Sequence, residues 1–165
     1  MPDFGWQARR VRQCRRHWSR FMKFANLFHP APRPWTARRV AVNGARLRVL
    51  IVDDNHDAAL ALAAYLSLED FESRAVFGGD DAVELGIAWS PHVVLMDISM
   101  PRCNGYEAAR ALRRDPRTEG IAIIAHTAFD KIEVRQHLSD SEFDGYVQKG
   151  WPPSQLVALI TKLAR

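Results

Sequence analysis

The chain has 165 residues, 47% of them apolar and 25% charged, an ordinary balance for one domain with a buried core. No run approaches the ~18 apolar residues of a membrane span, the Arg-rich N-terminus lacks the apolar stretch of a signal peptide, and Cys14 and Cys103 are too few for a disulfide framework or a zinc site, which together fit a reducing cytoplasm. The net charge of +4 is uneven: residues 1–48 hold twelve of the 23 Lys/Arg and one of the 19 acids, giving +11 against −7 for the rest, the pattern of a basic arm on an acidic domain.

Residues 1–46 form the arm. Val11, Cys14, Trp18, Phe21, Ala25 and Phe28 recur at spacings of three and four, with Arg12, Arg16 and Arg20 on another face. That is the pattern of a basic amphipathic helix, suited to an anionic membrane surface or an acidic partner. An unstructured arm and an over-extended translation start are the competing readings. Prolines at 30, 32 and 34 then predict an extended linker, and Asn43-Gly44 a turn.

From Leu47 to Arg165 strands and helices alternate. Leu47 to Val52 is an apolar, β-branched strand that ends at Asp53-Asp54. Asn55 caps a helix to about Leu68. Glu72 to Phe77 is a weaker strand, followed by a Gly78-Gly79 turn and a helix from Asp80 or Asp81 to Trp89, which Ser90-Pro91 ends. Val93 to Met96 is a short continuous apolar run, the mark of a strand buried on both faces, and it stops at Asp97. Met100-Pro101 turns the chain, and Asn104 or Gly105 opens a helix to about Arg114. Ile121 to Ala125 is the fourth strand, ending in His126-Thr127. A polar, weakly periodic helix with Ile132, Val134 and Leu138 follows. Phe143 to Val147 is the fifth strand, ending at Gln148-Lys149. Pro152-Pro153 lead the last helix, with Leu156, Leu159, Ile160 and Leu163 on one stripe. Five such units predict a parallel sheet covered by helices on both faces.

The strand ends carry the chemistry. The first supplies Asp53 and Asp54, the third Asp97, the fourth Thr127 and the fifth Lys149. A parallel sheet gathers all of them on its C-terminal edge, where open α/β sheets bind ligands. Clustered carboxylate oxygens suit Mg²⁺. Three aspartates, one lysine and one such cation sum to zero formal charge. That balance suits an incoming phosphoryl group, whose oxygens call for a metal, an ammonium and a hydroxyl donor. A carboxylate can itself be the nucleophile. Singly, each aspartate reads as a helix cap, Thr127 as a strand end and Lys149 as a solvated charge; the coincidence of five is what signals. His56, His126 and His137 have no ligand spacing and read as surface or edge residues.

Val-Leu-Ile-Val-Asp53-Asp54-Asn, Val-Val-Leu-Met-Asp97-Ile-Ser-Met-Pro-Arg-Cys-Asn-Gly105, Ala-His-Thr127-Ala and Gly-Tyr146-Val-Gln-Lys149 occur in this order. Over residues 47–164 the chain resembles a receiver domain of a two-component response regulator. The resemblance implies a flavodoxin-like (βα)5 doubly wound sheet of strand order 2-1-3-4-5. It implies Asp97 as phosphoacceptor and Mg²⁺ held by Asp54, Asp97 and the backbone carbonyl of Ser99, with Asp53 acting through water. It also implies that Lys149 pairs with the phosphoryl group, that Thr127 moves to bond it, and that Tyr146 swings inward, changing the face built from the fourth helix, fifth strand and fifth helix. Two positions depart from the family. Asn104 stands where Asp is usual, and Gly150 follows the lysine where Pro is usual. The bond after a lysine without proline is expected trans, with glycine's backbone freedom making the turn.

The function expected is that of a stand-alone cytoplasmic receiver, a signalling protein rather than an enzyme. It would take its phosphoryl group from a histidine kinase or histidine phosphotransfer protein and act on a downstream protein target, with no direct nucleic-acid binding by the receiver. One rival is a phosphate-independent scaffold on the same fold. Another is an aspartyl phosphatase, which usually needs a second carboxylate two residues past the nucleophile, where this chain has Ser99.

Overall fold

The structure, a computed structural model, describes residues 31–42, 44, 46–138 and 142–164. The amphipathic pattern of residues 1–28 lies outside them. Five strands alternate with five helices. They are β1 (Arg48–Val52), α1 (His56–Leu68), β2 (Glu72–Val76), α2 (Gly79–Trp89), β3 (Val93–Met96), α3 (Gly105–Arg114), β4 (Ala122–Thr127), α4 (Lys131–Gln136), β5 (Gly145–Gln148) and α5 (Pro153–Leu163).

The strands form one parallel sheet of order β2-β1-β3-β4-β5, as the resemblance implies. Strand alternation splits the core into two layers. Val49, Ile51, Val93, Leu95, Ala122 and Ile124 pack under α1 and α5, against Leu66, Leu156, Leu159 and Ile160. Leu50, Val52, Val94, Met96, Ile123 and Ala125 face α2, α3 and α4, against Ala82, Ala109, Leu112 and Val134. Every β3 side chain is fully buried, which explains its unbroken apolar sequence.

Local chemistry sets the helix starts. The Asn55 side chain accepts from the Ala58 amide at 3.0 Å. Asn104 accepts from the amides of Tyr106 and Glu107, and Glu107 accepts from the Asn104 amide, a complete capping box. Asp130 and Glu133 repeat that box at the start of α4. This helix is only six residues long, so the cap contributes a large share of its order.

Residues 32–42 lie on the domain rather than away from it. Val40 is buried, its amide donates to the Leu163 carbonyl at 2.8 Å, and it bridges to Ala164. Lys162 Nζ donates to the Pro32 carbonyl at 2.9 Å. Asp144, fully buried just before β5, accepts from Arg113 Nη2 at 2.6 Å, Arg38 Nε at 3.0 Å, the Thr36 hydroxyl and the Ile123 amide. Partners on three segments satisfy this buried carboxylate, as a charge in a low-dielectric interior requires. No helix among the described residues is long and apolar enough to cross a membrane.

Candidate functional site

The site lies in the crevice beside β1 and β3, where the chain direction across the sheet reverses. Asp53 and Asp97 are the first residues past those two strands. Their amides continue the sheet, Asp53 N donating to the Val76 carbonyl and Asp97 N to the Val52 carbonyl. Both side chains are nearly buried, at 3% and 4% exposure, while Asp54 is exposed. The three carboxylates each offer an oxygen within 4.8 Å of the others, and among the described residues no other acidic, His or Cys cluster does so.

Lys149 follows β5 and reaches back over β4. Its Nζ donates to Asp97 Oδ2 at 2.6 Å and pairs with Asp53 Oδ2 at 2.8 Å. The other oxygens take backbone donors: Asp53 Oδ1 accepts from Asn55 N at 3.1 Å, and Asp97 Oδ1 from Ser99 N at 3.3 Å. Burial works against the Lys149 ammonium, but its hydrogen bonds to Asp53 and Asp97 outweigh that and hold its pKa above the usual lysine value.

The turn after Asp97 depends on one glycine. A Cβ on Gly105 would run into the Asp97 carbonyl oxygen, so this helix start can approach the strand end only without a side chain. At the other side, Gly150 takes φ of 89° in open space and the Lys149–Gly150 peptide is trans, as expected for a glycine in the place of proline.

Thr127 is the last residue of β4 and fully buried; its Oγ1 accepts from the Phe129 amide at 3.5 Å. Ser99 is exposed on the loop past Asp97. Tyr146 is only 5% exposed, its hydroxyl donating to the Phe129 carbonyl at 2.7 Å. Burial, then the Asp130 and Glu133 carboxylates, push that hydroxyl up to about 12. The structure thus brings Asp53, Asp54, Asp97, Thr127 and Lys149 to one edge, with Ser99 on the flanking loop and Tyr146 on β5, the strand that leads to Lys149.

His126 is half-buried at the end of β4, close to the rim the sequence reading gave it: β4 runs two residues past Ala125, and His126 pairs in register with Val147 of β5. Burial, then the Lys149 ammonium, lower its pKa to about 4, against the opposing pull of Asp53 and Asp97. His56, by contrast, is exposed and stacks on Phe77.

An open parallel sheet of this order, with an acidic pocket and a lysine at its switch point, defines a doubly wound α/β module. A family model for the response regulator receiver domain matches residues 49–161. PilH of Pseudomonas aeruginosa is 39% identical over 84 residues, covering 51% of this chain and 69% of PilH. The DNA-binding response regulator MtrA of Mycolicibacterium smegmatis is 34% identical over 116 residues, covering 70% of this chain and 49% of MtrA, so the chain spans about half the length of that relative. Among solved structures, the chemotaxis protein CheY4 of Vibrio cholerae shares the fold, with a TM-score of 0.68, 22% identity and coverage of 72% of this chain and 99% of that one. The response regulator TrrA of Thermotoga maritima, in complex with Mg²⁺-BeF, has a TM-score of 0.64 at 29% identity, covering 70% and 97%. This chain belongs to the response regulator receiver domain family, a signalling module of two-component systems.

Proposed function

We propose that the chain acts as a single-domain response regulator that accepts a phosphoryl group on Asp97 and signals through a changed protein-binding surface. The observation that carries this is the lysine bridge: Lys149 Nζ lies 2.6 Å from Asp97 and 2.8 Å from Asp53, at the ends of three different strands. The donor set fits Mg²⁺: three carboxylates within 4.8 Å of one another, one of them exposed to solvent, a hard-oxygen environment with access for water. Asp53, Asp54, Asp97 and the Ser99 backbone carbonyl would hold the ion. When bound, the cation offsets the carboxylate charge and that on the phosphoryl oxygens.

In the transfer step a carboxylate oxygen of Asp97 bonds to phosphorus. The P–N bond of the donor phosphohistidine breaks, and its electron pair returns to the imidazole. Lys149, released from Asp97 Oδ2, pairs with a phosphoryl oxygen. The Thr127 hydroxyl, which accepts the long contact from the Phe129 amide, turns to donate to another. Motion at Thr127 reaches Phe129, whose carbonyl holds the Tyr146 hydroxyl. The donor is a histidine kinase or a histidine phosphotransfer protein in the cytoplasm, and the target is a protein. DNA binding belongs to MtrA, of which this chain matches 49%. The presence of Mg²⁺-BeF in the TrrA complex supports the reading.

Incubation with acetyl phosphate and Mg²⁺ tests it. A base-labile adduct located on Asp97 by mass spectrometry is the expected result. Full labelling of Asp97→Asn would refute the assignment, and no labelling of the natural chain would favour the phosphate-independent scaffold.

A further inference from the structure

The linker segment ahead of the family-matched residues holds the element that would report phosphorylation. The Trp35 ring stacks on Tyr146, centroids 5.8 Å apart and planes 11° from parallel. The Arg135 guanidinium of α4 lies 4.8 Å from the Trp35 ring centroid. The Trp35 amide donates to the Asp144 carbonyl at 2.7 Å, the Thr36 hydroxyl and Arg38 Nε bond the Asp144 carboxylate, and Arg38 Nη1 donates to the Glu119 carbonyl at 2.8 Å. Val40 and the Lys162–Pro32 contact fix the two flanks of the segment. Trp35 is therefore anchored from both sides and not a ring resting loosely on a surface.

From this geometry we infer that Trp35 is a positioning residue of the switch: it holds Tyr146 inward, with the hydroxyl on Phe129, and so favours the phosphoryl-bound form of Asp97. The inference rests on the reading of Asp97 and Tyr146 given above. Three points support it. Tyr146 is buried with the Trp35 ring stacked against it. The stack is made with Tyr146 inward, and an outward swing of the ring would break it, which makes its free energy differential between the two positions, the condition for shifting an equilibrium. And a connected path joins the two ends: Asp97 lies beside Thr127 on the sheet edge, Thr127 bonds Phe129, Phe129 bonds Tyr146, and Tyr146 stacks on Trp35. Because linkage is reciprocal, the phosphoryl group must tighten the segment by the factor with which the segment favours the phosphoryl group.

The test uses the full chain with Mg²⁺ and beryllofluoride, an inorganic phosphoryl mimic, its binding read by fluorine NMR. Trp35→Ala is expected to bind it roughly three- to tenfold more weakly, the range an aromatic stack supports. Trp35→Phe, which keeps a ring, is expected to restore binding to within about twofold. In the natural chain, hydrogen exchange at the Trp35 and Val40 amides is expected to slow on saturation, a response a purely structural tether would not give. Unchanged exchange at saturation overturns the inference, as does natural-strength binding by a folded Trp35→Ala. If Trp35→Ala does not fold, the exchange measurement on the natural chain decides alone. Absence of bound beryllofluoride in the natural chain, or equal binding by Asp97→Asn, instead refutes the phosphoacceptor reading and the inference with it.

Discussion

Lys149→Ala isolates the charge balance of the site. The substitution leaves two nearly buried carboxylates without their shared ammonium. Each lost bond is charge-assisted, worth about 1.5–3 kcal/mol net when fully buried. The Lys149 side chain is 28% exposed against 4% for Asp53 and 6% for Asp97, and solvent screens the more open partner. A total loss of about 2–3 kcal/mol without divalent cation is expected, or roughly 10 °C in Tm for a domain of this size. Mg²⁺ should reverse part of that loss. It should also bind the variant about fivefold or more tightly, because a like charge a few ångströms away costs about 1 kcal/mol even in a water-like dielectric. Thermal unfolding in chelator and in Mg²⁺, with calorimetric titration of the ion, measures both. The folded-state pKa of Lys149 is raised, so its contribution is fully present below the unfolded lysine value of ~10.4 and is lost as pH rises through the higher folded value. A loss under about 0.5 kcal/mol in chelator, or weaker Mg²⁺ binding by the variant, would refute the reasoning.

Gly105→Ala should cost about 3 kcal/mol in a denaturant titration and slow Asp97 labelling, because the added Cβ displaces the Asp97 carbonyl and with it the strand end. Asn104→Ala should cost only about 1 kcal/mol and leave labelling near normal, since it removes a cap without touching the strand. The Tyr146 hydroxyl has its folded pKa raised to about 12, so it stabilises the fold fully below about pH 10 and loses that contribution as pH rises through about 12. Unfolding curves at alkaline pH should therefore decline more steeply in the natural chain than in Tyr146→Phe, which keeps only the loss from the other raised groups such as Lys149.

The sheet was legible because β3 has no exposed face: Val93 to Met96 had to be apolar throughout, and Asp97 had to interrupt them. The five strand-end residues were legible because parallel order alone brings C-terminal ends to one edge. The Trp35–Tyr146 stack had no signal. It joins residues more than a hundred apart, and Trp35 stands in a proline-rich stretch whose local chemistry points to an extended linker. The Asp144 network was hidden for the same reason, since Asp, Arg and Thr singly read as exposed. The extension of β4 through His126 and Thr127 was hidden because a histidine-threonine pair after an apolar run resembles a strand end, while the pairing with β5 that continues β4 is a tertiary fact. The Asp130-x-x-Glu133 capping box is readable in the sequence, and it anchors α4, whose apolar periodicity is weak.

Gly150 decides how firmly Lys149 is aimed. Its φ of 89° lies in the left-handed region, and a Cβ there would meet nothing within 4 Å. The cost of Gly150→Ala is therefore backbone strain alone, about 1–2 kcal/mol. Asn, which tolerates this region, should cost less. Neither substitution moves the Trp151 amide from the Gln148 carbonyl, the 3.2 Å bond that closes the turn, so Lys149 keeps its direction and labelling rates should stay near natural. Gly150→Pro is different in kind. The ring fixes φ near −65°, so the turn must be rebuilt around Lys149 and Trp151, and Trp151 packs edge-on against Tyr146 at 6.3 Å. Both the ammonium and the aromatic face behind it must then shift, and the rates of phosphorylation or dephosphorylation must change while the fold persists. Stopped labelling time courses on the three variants, each with its own unfolding curve, separate strain from aim. If Gly150→Pro rebuilds the turn and the rates stay those of the natural chain, the glycine does not set the aim of the lysine. If Gly150→Ala changes the rates as much as Gly150→Pro does, strain and not direction is what the site feels.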